Sequence, residues 1–208
     1  MSEVKTLAAF DFDGTLTRRD SLLPFLLRSL GPWGFFKAFV QSAAPLLAYA
    51  LRIKSNHRAK ARLLQKSFIG RSCAELEQHA LAFIQHDLPD LWQPWALEQL
   101  RQHQRLGHLC VLVSASPGVY LHAVAKRLNL DAVLCTEMET LEGCYSGNMA
   151  TQNCHGEEKV RRLRLWMTQT LGESASVTLH AYGDTAGDLP MLRMAQHAWY
   201  RGKPWKNP

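Results

Sequence analysis

Short apolar runs alternate with amphipathic stretches through much of this chain. The runs predict buried strands, and they cover residues 7–10, 109–113, 132–136, 177–182 and 198–200. The stretches between them have helical spacing, apart from a polar, glycine-containing stretch at 138–153 that predicts a hairpin. Strands that alternate with helices are typical of a parallel sheet covered by helices on both faces. We therefore predict an α/β fold with a doubly wound, Rossmann-like parallel sheet.

Residues 21–96 differ from the rest of the chain, because their pattern is helical throughout. The helix-breaking residues that divide this block are Gly31, Pro32, Pro45, Gly70 and Pro89. The block follows the first predicted strand and precedes the others, so it predicts an inserted helical cap. We accordingly expect residues 1–16 and 97–208 to form the core and residues 17–96 to form the cap. A chain of 208 residues is long enough for one domain with such an insert.

Polar residues follow three of the predicted strands at the point where each strand ends. They are Asp11 and Asp13, the segment 114–116, and the pair Gly183 and Asp184. Open α/β sheets bind their ligands at the carboxyl ends of the strands. Each cluster alone has an ordinary explanation, namely a turn or a helix cap. Because all three fall on the same predicted edge of the sheet, they predict an active site there.

The first cluster, Asp11-Phe12-Asp13-Gly14-Thr15, combines two carboxylates with a glycine. Side chains at i and i+2 leave a strand on the same side, so the two carboxylates can share one metal ion. Asp11 can act as a nucleophile toward phosphorus, and Asp13 can transfer protons. Gly14 lets the backbone turn sharply and can point its N–H at an anion. An ordinary Asp-Gly turn is the alternative.

Two more aspartates, Asp184 and Asp188, occupy the loop after a later strand. Four carboxylates that converge on one point repel each other unless a cation lies between them. Hard oxygen ligands with room for water suit Mg²⁺, which is the cofactor that we expect. The alternative is that these two aspartates only cap the following helix.

A serine and a lysine complete the candidate site. Ser114 ends a strand and precedes a helix, so its hydroxyl and the nearby N–H groups, including that of Ala115, can hold a phosphate oxygen. Lys159 lies near a predicted helix start, where the helix dipole disfavours a cation. A bound phosphate would explain that position. The alternatives are a helix N-cap for the serine and a solvated surface side chain for the lysine.

Together these residues resemble the four motifs of the haloacid dehalogenase (HAD) superfamily of phosphotransferases. Their order and spacing are those of its phosphoserine-phosphatase-like branch, whose helical cap is inserted after the first motif. The matching residues are Asp11-x-Asp13-Gly14-Thr15, Ser114, Lys159 and Gly183-Asp184-x-x-x-Asp188. The resemblance covers the core, and residues 21–96 fit the cap. It implies a HAD-like core and a Mg²⁺-dependent phosphomonoester hydrolase.

The resemblance also implies a role for each matching residue. Asp11 attacks phosphorus and becomes an aspartyl-phosphate, while Asp13 protonates the leaving alkoxide and then deprotonates the water that cleaves the intermediate. Mg²⁺ is held by Asp11, the backbone carbonyl of Asp13, and Asp184. Asp188 supports the water shell of the metal or orients Lys159. The residues that bind the phosphoryl oxygens are Gly14, Ser114, Ala115 and Lys159.

The motifs define the reaction but not the leaving group. Asp20 lies where phosphoserine phosphatases of this branch usually carry a glutamate that faces the substrate amine, or it caps the helix that follows Ser21. No cap arginine that would bind the carboxylate of phosphoserine is recognisable in the sequence. Phosphoserine therefore remains an alternative substrate rather than the first one.

The predicted cap is cationic and rich in apolar residues. Residues 21–74 contain no acidic residue, and the basic residues of this stretch are Arg28, Lys37, Arg52, Lys54, Arg58, Lys60, Arg62, Lys66 and Arg71. The apolar run 33–51 is interrupted by polar residues and a proline, so it falls short of a transmembrane helix. Aromatic and basic residues together suit a peripheral position on an anionic membrane through residues 21–71. Alternatively, the apolar residues form the cap's own core.

Three further stretches resemble the bacterial phosphatidylglycerophosphatase C type of the same branch. They are the apolar segment ending in Leu51-Arg52-Ile53-Lys54, residues 154–159, and residues 197–201. This resemblance implies a lipid or lysolipid phosphate, such as phosphatidylglycerophosphate, as substrate. A soluble phosphate such as phosphoserine is the first alternative. A non-catalytic basic adaptor is the second, and four aspartates argue against it. We expect no nucleic-acid partner, because no recognised binding motif accompanies the basic residues.

The cysteines and histidines predict no metal site or disulfide framework. The five cysteines are widely spaced and include no CxxC pair, and the histidines show no ligand spacing. Reduced thiols are typical of the cytoplasm, and the sequence printed here opens with no signal-peptide pattern. We therefore expect a cytoplasmic protein with peripheral contact with the inner face of the membrane.

Overall fold

The computed structural model describes residues 4–41 and 56–206, with the backbone alone for residues 56–59. Its strands are β1 (Lys5–Phe10), β2 (Leu109–Pro117), β3 (Ala132–Thr136), β4 (Met138–Leu141), β5 (Cys144–Met149), β6 (Val177–Gly183), β7 (His197–Tyr200) and β8 (Lys203–Trp205). Its helices are α1 (Leu22–Gln41), α2 (Asn56–Phe68), α3 (Cys73–His86), α4 (Pro94–Arg105), α5 (Gly118–Leu128), α6 (Glu157–Leu171) and α7 (Leu189–Met194).

Six of these strands form one sheet in the order β3-β2-β1-β6-β7-β8. All neighbours are parallel except β7 and β8, which pair antiparallel. β1 is central, and its Ala8 pairs with Cys110 on one side and with His180 on the other. A strand covered on both faces needs a continuous apolar sequence, which explains the run 7–10. The predicted α/β fold with a doubly wound sheet is confirmed, whereas β8 was not predicted.

The two faces of the sheet bury separate clusters of apolar residues. Successive side chains of a strand point to opposite faces, so Phe10 lies in one cluster and Ala9 in the other. The larger cluster also contains residues of α1 to α5, and the smaller one contains residues of α6 and α7. The helices therefore cover both faces, and the carboxyl ends of the strands remain available for a site.

The helices that follow β1 pack on the core through aromatic rings. Phe25 of α1 lies 4.7 Å from Tyr120 of α5 and 5.6 Å from Phe83 of α3, measured between ring centroids. Gly31, at a φ of 67°, interrupts α1 before Pro32, as the Gly-Pro break predicts. Helix α4 begins three residues before position 97, and the division into core and cap remains a prediction.

Two predictions about the middle of the chain have different outcomes. The hairpin predicted at 138–153 is present, since β4 and β5 pair antiparallel. The predicted break at Pro45, most of the apolar run 33–51 and the basic residues Arg52 and Lys54 lie outside the described residues. Within the described ranges, no helix combines the length and the apolar character that spanning a bilayer requires.

Candidate active site

The loop after β1 holds the first pair of predicted residues. Asp11 directly follows the strand, and residues 12–16 turn back over the end of the sheet with Gly14 at a φ of 85°. A Cβ atom on Gly14 would lie 2.2 Å from Oδ2 of Asp184. Glycine is therefore required for two reasons, because the backbone is left-handed and the carboxylate of Asp184 occupies the space of a side chain.

Three buried charged side chains, Asp11, Lys159 and Asp188, form an ion triad at the carboxyl edge of the sheet. The ammonium of Lys159 donates to Oδ1 of Asp11 and to Oδ1 of Asp188, at 2.5 Å in each case. Lys159 is 2% exposed, Asp188 1% and Asp11 6%. The alternative of a solvated surface lysine is therefore wrong. The helix dipole disfavours a lysine on the first turn of α6, and two carboxylates offset this cost.

Burial and the charges of the triad together shift the pKa of each of its members. Burial raises the pKa of Asp11 to about 8, against the opposing charge of Lys159. Burial disfavours the ammonium of Lys159, but Asp11 and Asp188 outweigh it and raise the pKa of that lysine. Burial also works against the charge of Asp188, but Lys159 and Thr185 hold its pKa below the ordinary value. A divalent cation beside Asp11 would lower the pKa of that carboxyl, because it favours the charged form.

Asp188 has a second role in the loop after β6. Its Oδ2 accepts hydrogen bonds from the N–H groups of Asp184 and Thr185, at 3.2 and 2.9 Å, and from the Thr185 hydroxyl at 2.8 Å. This is a reciprocal cap, since the Thr185 side chain bonds back to the backbone of Asp188. The capping alternative is thus correct for Asp188, and the same carboxylate also holds Lys159.

Three carboxylates lie close enough to hold one cation. Oxygen atoms of Asp11, Asp184 and Asp188 all lie within 4.8 Å of one another. A set of hard oxygen ligands fits Mg²⁺. The side chain of Asp13 does not join this group. Its predicted contribution was the backbone carbonyl, which stays a prediction.

The carboxylate of Asp13 faces Ser21, which precedes α1, and the strand β2. Its Oδ1 accepts the N–H of Ser21 at 2.7 Å, and its Oδ2 accepts the hydroxyl of Ser116. Both donors therefore bind the carboxylate of Asp13, which is the group expected to transfer protons. Sequence reasoning missed both serines as partners of Asp13. Ser116 carried a usable signal, because it follows Ser114 by two positions on the same strand end.

The segment 114–116 belongs to β2, which continues to Pro117. The residue that precedes α5 is therefore Pro117, and the N-cap alternative for Ser114 is wrong. Ser114 is 1% exposed, and its Oγ accepts the N–H of Ser116 at 3.1 Å. The carbonyl oxygen of Ala115 accepts the hydroxyl of Thr136 at 2.8 Å. This turn is therefore fixed by contacts with the neighbouring strand.

A lysine of helix α2 reaches the same segment of β2. The ammonium of Lys60 in α2 donates to the carbonyl oxygen of Ala115 at 2.7 Å. Burial lowers the pKa of Lys60, with Asp13 and Asp20 acting in the opposite direction. Sequence reasoning counted Lys60 only as one of nine basic residues, and nothing in its spacing marks it for the site.

Asp20 lies at the surface beside α1. Its Oδ1 accepts the N–H of Leu23 at 3.2 Å, which is the bond of a helix cap. The structure therefore agrees with the alternative that Asp20 caps helix α1. Its role toward a substrate stays a prediction.

Comparisons with known proteins agree with this geometry. Residues 8–193 match the family of haloacid dehalogenase-like hydrolases. Protein CicA of Caulobacter vibrioides is 34% identical over 209 residues, which cover 98% of this chain and 90% of CicA. Phosphoserine phosphatase SerB1 of Mycobacterium tuberculosis is 27% identical over 201 residues, which cover 92% of this chain and 63% of SerB1.

A crystal structure from Bordetella pertussis Tohama I, of a protein of unknown function, has the same fold. It superposes with a TM-score of 0.79 at 20% identity, over 94% of this chain and 89% of that chain. The chain described here belongs to the haloacid dehalogenase-like hydrolases. Its candidate site places a buried lysine between two aspartates, and phosphoryl transfer uses such acidic and cationic groups.

Proposed function

We propose that this protein is a Mg²⁺-dependent phosphomonoesterase that works through an aspartyl-phosphate on Asp11, with an amphiphilic or lipid phosphate as substrate. One observation carries the chemistry. A buried lysine lies 2.5 Å from the aspartate that ends the central strand, so a nucleophile and a phosphate-binding cation share one point.

The reaction has two steps on the described residues. An oxygen of Asp11 attacks phosphorus, the ester P–O bond breaks, and Asp13 gives a proton to the leaving alkoxide. Asp13 then takes a proton from water as the water oxygen attacks the phosphorus, and the bond to Asp11 breaks. The products are inorganic phosphate and free Asp11. Lys159 and the turn at Ser114 hold the phosphoryl oxygens in both steps.

Asp11 and Asp184 are the side chains that would hold Mg²⁺, with the backbone carbonyl of Asp13 as a further ligand. When bound, the ion neutralises charge on the phosphoryl group and on the clustered carboxylates. Because Asp188 already binds Lys159 and caps the loop, we assign it to holding that lysine and supporting the metal site.

The cap contributes groups that suit an anionic substrate. Lys60 lies on the cap helix α2 and reaches the turn at Ala115. A cleft of about 620 Å³ lies beside the same helix and is lined by Ala61, Arg62 and Gln152 among others.

The second half of α1 supports a membrane-bound substrate. Trp33 is 85% exposed and Phe36 61% exposed, with Phe39 and Val40 also exposed on the same helix. Monomeric soluble proteins rarely expose such a group of large apolar side chains without a partner. Lys37 lies among them, and a basic aromatic helix fits the interface of an anionic bilayer. We therefore propose that α1 places the cap on a membrane at the cytoplasmic face.

Phosphoserine, or a similar soluble phosphate, is the second candidate substrate. The observation in its favour is the similarity to SerB1, which is named a phosphoserine phosphatase. Asp20 would then face the substrate amine, although in this structure it caps α1.

A substrate panel distinguishes the two candidates. Phosphate release is measured with phosphatidylglycerophosphate in mixed micelles, with a lysolipid phosphate and with phosphoserine, each with and without Mg²⁺. The proposal predicts activity that needs Mg²⁺ and is at least tenfold higher in kcat/KM on the lipid phosphates. Equal or higher activity on phosphoserine would overturn the lipid assignment and leave the phosphatase intact.

A further inference from the structure

A second cluster of ligand-type side chains lies outside the active site. His122 of α5, Cys135 of β3 and Glu137, which follows β3, bring one nitrogen, one sulfur and one oxygen atom within 4.8 Å of each other. None of the three belongs to the motifs of the proposed reaction. Their separation in sequence explains why no ligand spacing was recognisable.

We propose that His122, Cys135 and Glu137 bind a transition-metal ion of the Zn²⁺ class. Imidazole, thiolate and carboxylate are the three ligand types that Zn²⁺ takes in proteins. Mg²⁺ would not choose this set, because it prefers oxygen ligands. On binding, the Cys135 thiol loses its proton to solvent and stays as the thiolate ligand, and any proton on the ligating nitrogen of His122 is also released.

The distances between the ligand atoms are a few tenths of an ångström shorter than those of a tetrahedral site. Nε2 of His122 lies 2.9 Å from Oε1 of Glu137, and Sγ of Cys135 lies 3.1 Å from the same oxygen. Ligand atoms around tetrahedral Zn²⁺ are about 3.3–3.8 Å apart, given its bond lengths. A shift of a few tenths of an ångström would therefore exchange these hydrogen bonds for metal bonds.

The surroundings give the ion a way in and a place for a fourth ligand. A cleft of about 390 Å³ reaches His122 and Glu137, and the acidic Glu77 also lines it. Gly118 lies against the cluster, where a Cβ atom would be 2.4 Å from Oε2 of Glu137 and 2.9 Å from Nε2 of His122. The side chain of any other residue at 118 would displace two of the three ligands. Water from the cleft completes the tetrahedron.

The proposed metal site connects to the phosphate-binding turn. Cys135 and Glu137 flank Thr136, whose hydroxyl donates to the carbonyl oxygen of Ala115. The carbonyl of Cys135 accepts a hydrogen bond from Arg162 of α6. A metal bound at this segment would hold the end of β3 in place, so the protein should become more stable when loaded.

Co²⁺ replaces Zn²⁺ in such sites and reports its own ligands. The full chain, purified and treated with a chelator, is titrated with CoCl₂ in excess Mg²⁺, which occupies the oxygen site. We expect one equivalent of Co²⁺ to give a thiolate charge-transfer band and tetrahedral d–d bands, and ZnCl₂ to displace it and raise the Tm.

Matched variants decide the assignment. Cys135→Ser should remove the charge-transfer band, and His122→Gln, a change at an exposed position, should weaken Co²⁺ binding at least tenfold. Cys110→Ser alters another buried cysteine away from the cluster and should leave both unchanged. A charge-transfer band that survives in Cys135→Ser, or a wild-type spectrum without that band, would overturn the proposal. Neither result depends on the enzyme's activity.

Discussion

A hydrogen bond joins Lys60 of α2 to Ala115 near the end of β2, because the lysine ammonium donates to the alanine carbonyl oxygen at 2.7 Å. They lie 55 positions apart in the sequence. Asp13 and Ser21 form a second link of this kind, since the carboxylate accepts the N–H of the residue that precedes α1. The residue before α1 and the helix α2 thus both contact residues of the candidate site.

Replacing Lys60 by Met tests the role of this link. We expect kcat/KM to fall roughly tenfold, which corresponds to about 1.4 kcal/mol, because the variant loses a cation next to residues 114–116, the proposed phosphate-binding segment. Lys66→Met changes a lysine of the same helix that makes no such contact with the turn and should keep wild-type kinetics. Steady-state kinetics with circular dichroism as a folding check measures both. Equal kinetics for the two variants would show that Lys60 does not serve the site.

Gly14→Ala tests the contact with Asp184. The added Cβ atom would clash with the carboxylate of Asp184, and the alanine would have to adopt a φ of 85°. We therefore expect activity to be lost and Mg²⁺ affinity to drop. Gly172→Ala has a similar φ of 90° with nothing within 4 Å of the added atom. Both changes should cost on the order of 1–2 kcal/mol of stability, since both strain the backbone. Urea unfolding and phosphate release separate the two effects, and an active Gly14→Ala enzyme would contradict the geometry described here.

A histidine cluster predicts how stability depends on pH. Nδ1 of His103 lies 2.8 Å from Nδ1 of His108, and its Nε2 lies 2.9 Å from the hydroxyl of Tyr182. The ring of His180 lies 4.7 Å from that of His103 and 4.5 Å from that of His197, between centroids. Burial, followed by the neighbouring histidines, lowers the pKa of His103 and His180 to about 4.

The unfolded chain takes up these protons near pH 6.5, whereas the folded protein resists them until about pH 4. The free energy of unfolding should therefore fall as the pH drops through this window, by on the order of 2 kcal/mol for His103. Urea titrations between pH 7.5 and 4.5 measure this. His103→Asn should flatten the profile relative to wild type, and His86→Asn, at an exposed position, should not. Parallel profiles for all three proteins would refute the assignment.

The exposed face of α1 predicts binding to vesicles. Trp33→Ser with Phe36→Ser should reduce binding to phosphatidylglycerol vesicles at least tenfold, because two exposed aromatic anchors are removed. Activity on a soluble test phosphate should not change. Leu165→Ser removes an exposed apolar side chain of α6 and should bind like wild type. Sedimentation with vesicles measures binding, and if the double variant still sediments like wild type, α1 is not the contact.

Local pattern was enough to predict the sheet and the residues at its edge. Residues 7–10 form a buried strand because both faces of β1 are covered, and Asp11 must then lie at its carboxyl end. Lys159 was predicted to belong to the site because a lysine near a helix start is disfavoured by the helix dipole. In the structure two carboxylates bind this lysine.

Contacts between distant segments could not be predicted in this way. Lys60 reaches Ala115 only because α2 packs near the end of β2, and Asp13 reaches Ser116 only because the loop after β1 meets the end of β2. The His122–Cys135–Glu137 cluster is likewise formed by a helix and a strand end that have no joint sequence pattern. Strand β8 was missed because Gly202 allows a tight antiparallel return that propensity alone does not indicate.

Trapping the phosphorylated intermediate tests most directly whether Asp11 is the nucleophile. Wild-type protein, Asp11→Asn and the exposed control Asp90→Asn are mixed with a ³²P-labelled substrate and Mg²⁺, quenched in acid within one turnover, and digested to map the label. We predict acid-stable label on the peptide that contains Asp11 in the wild type and in Asp90→Asn. Asp11→Asn should carry no label and lose at least a thousandfold in kcat. Label on another residue, or full turnover by Asp11→Asn, would contradict the proposed reaction.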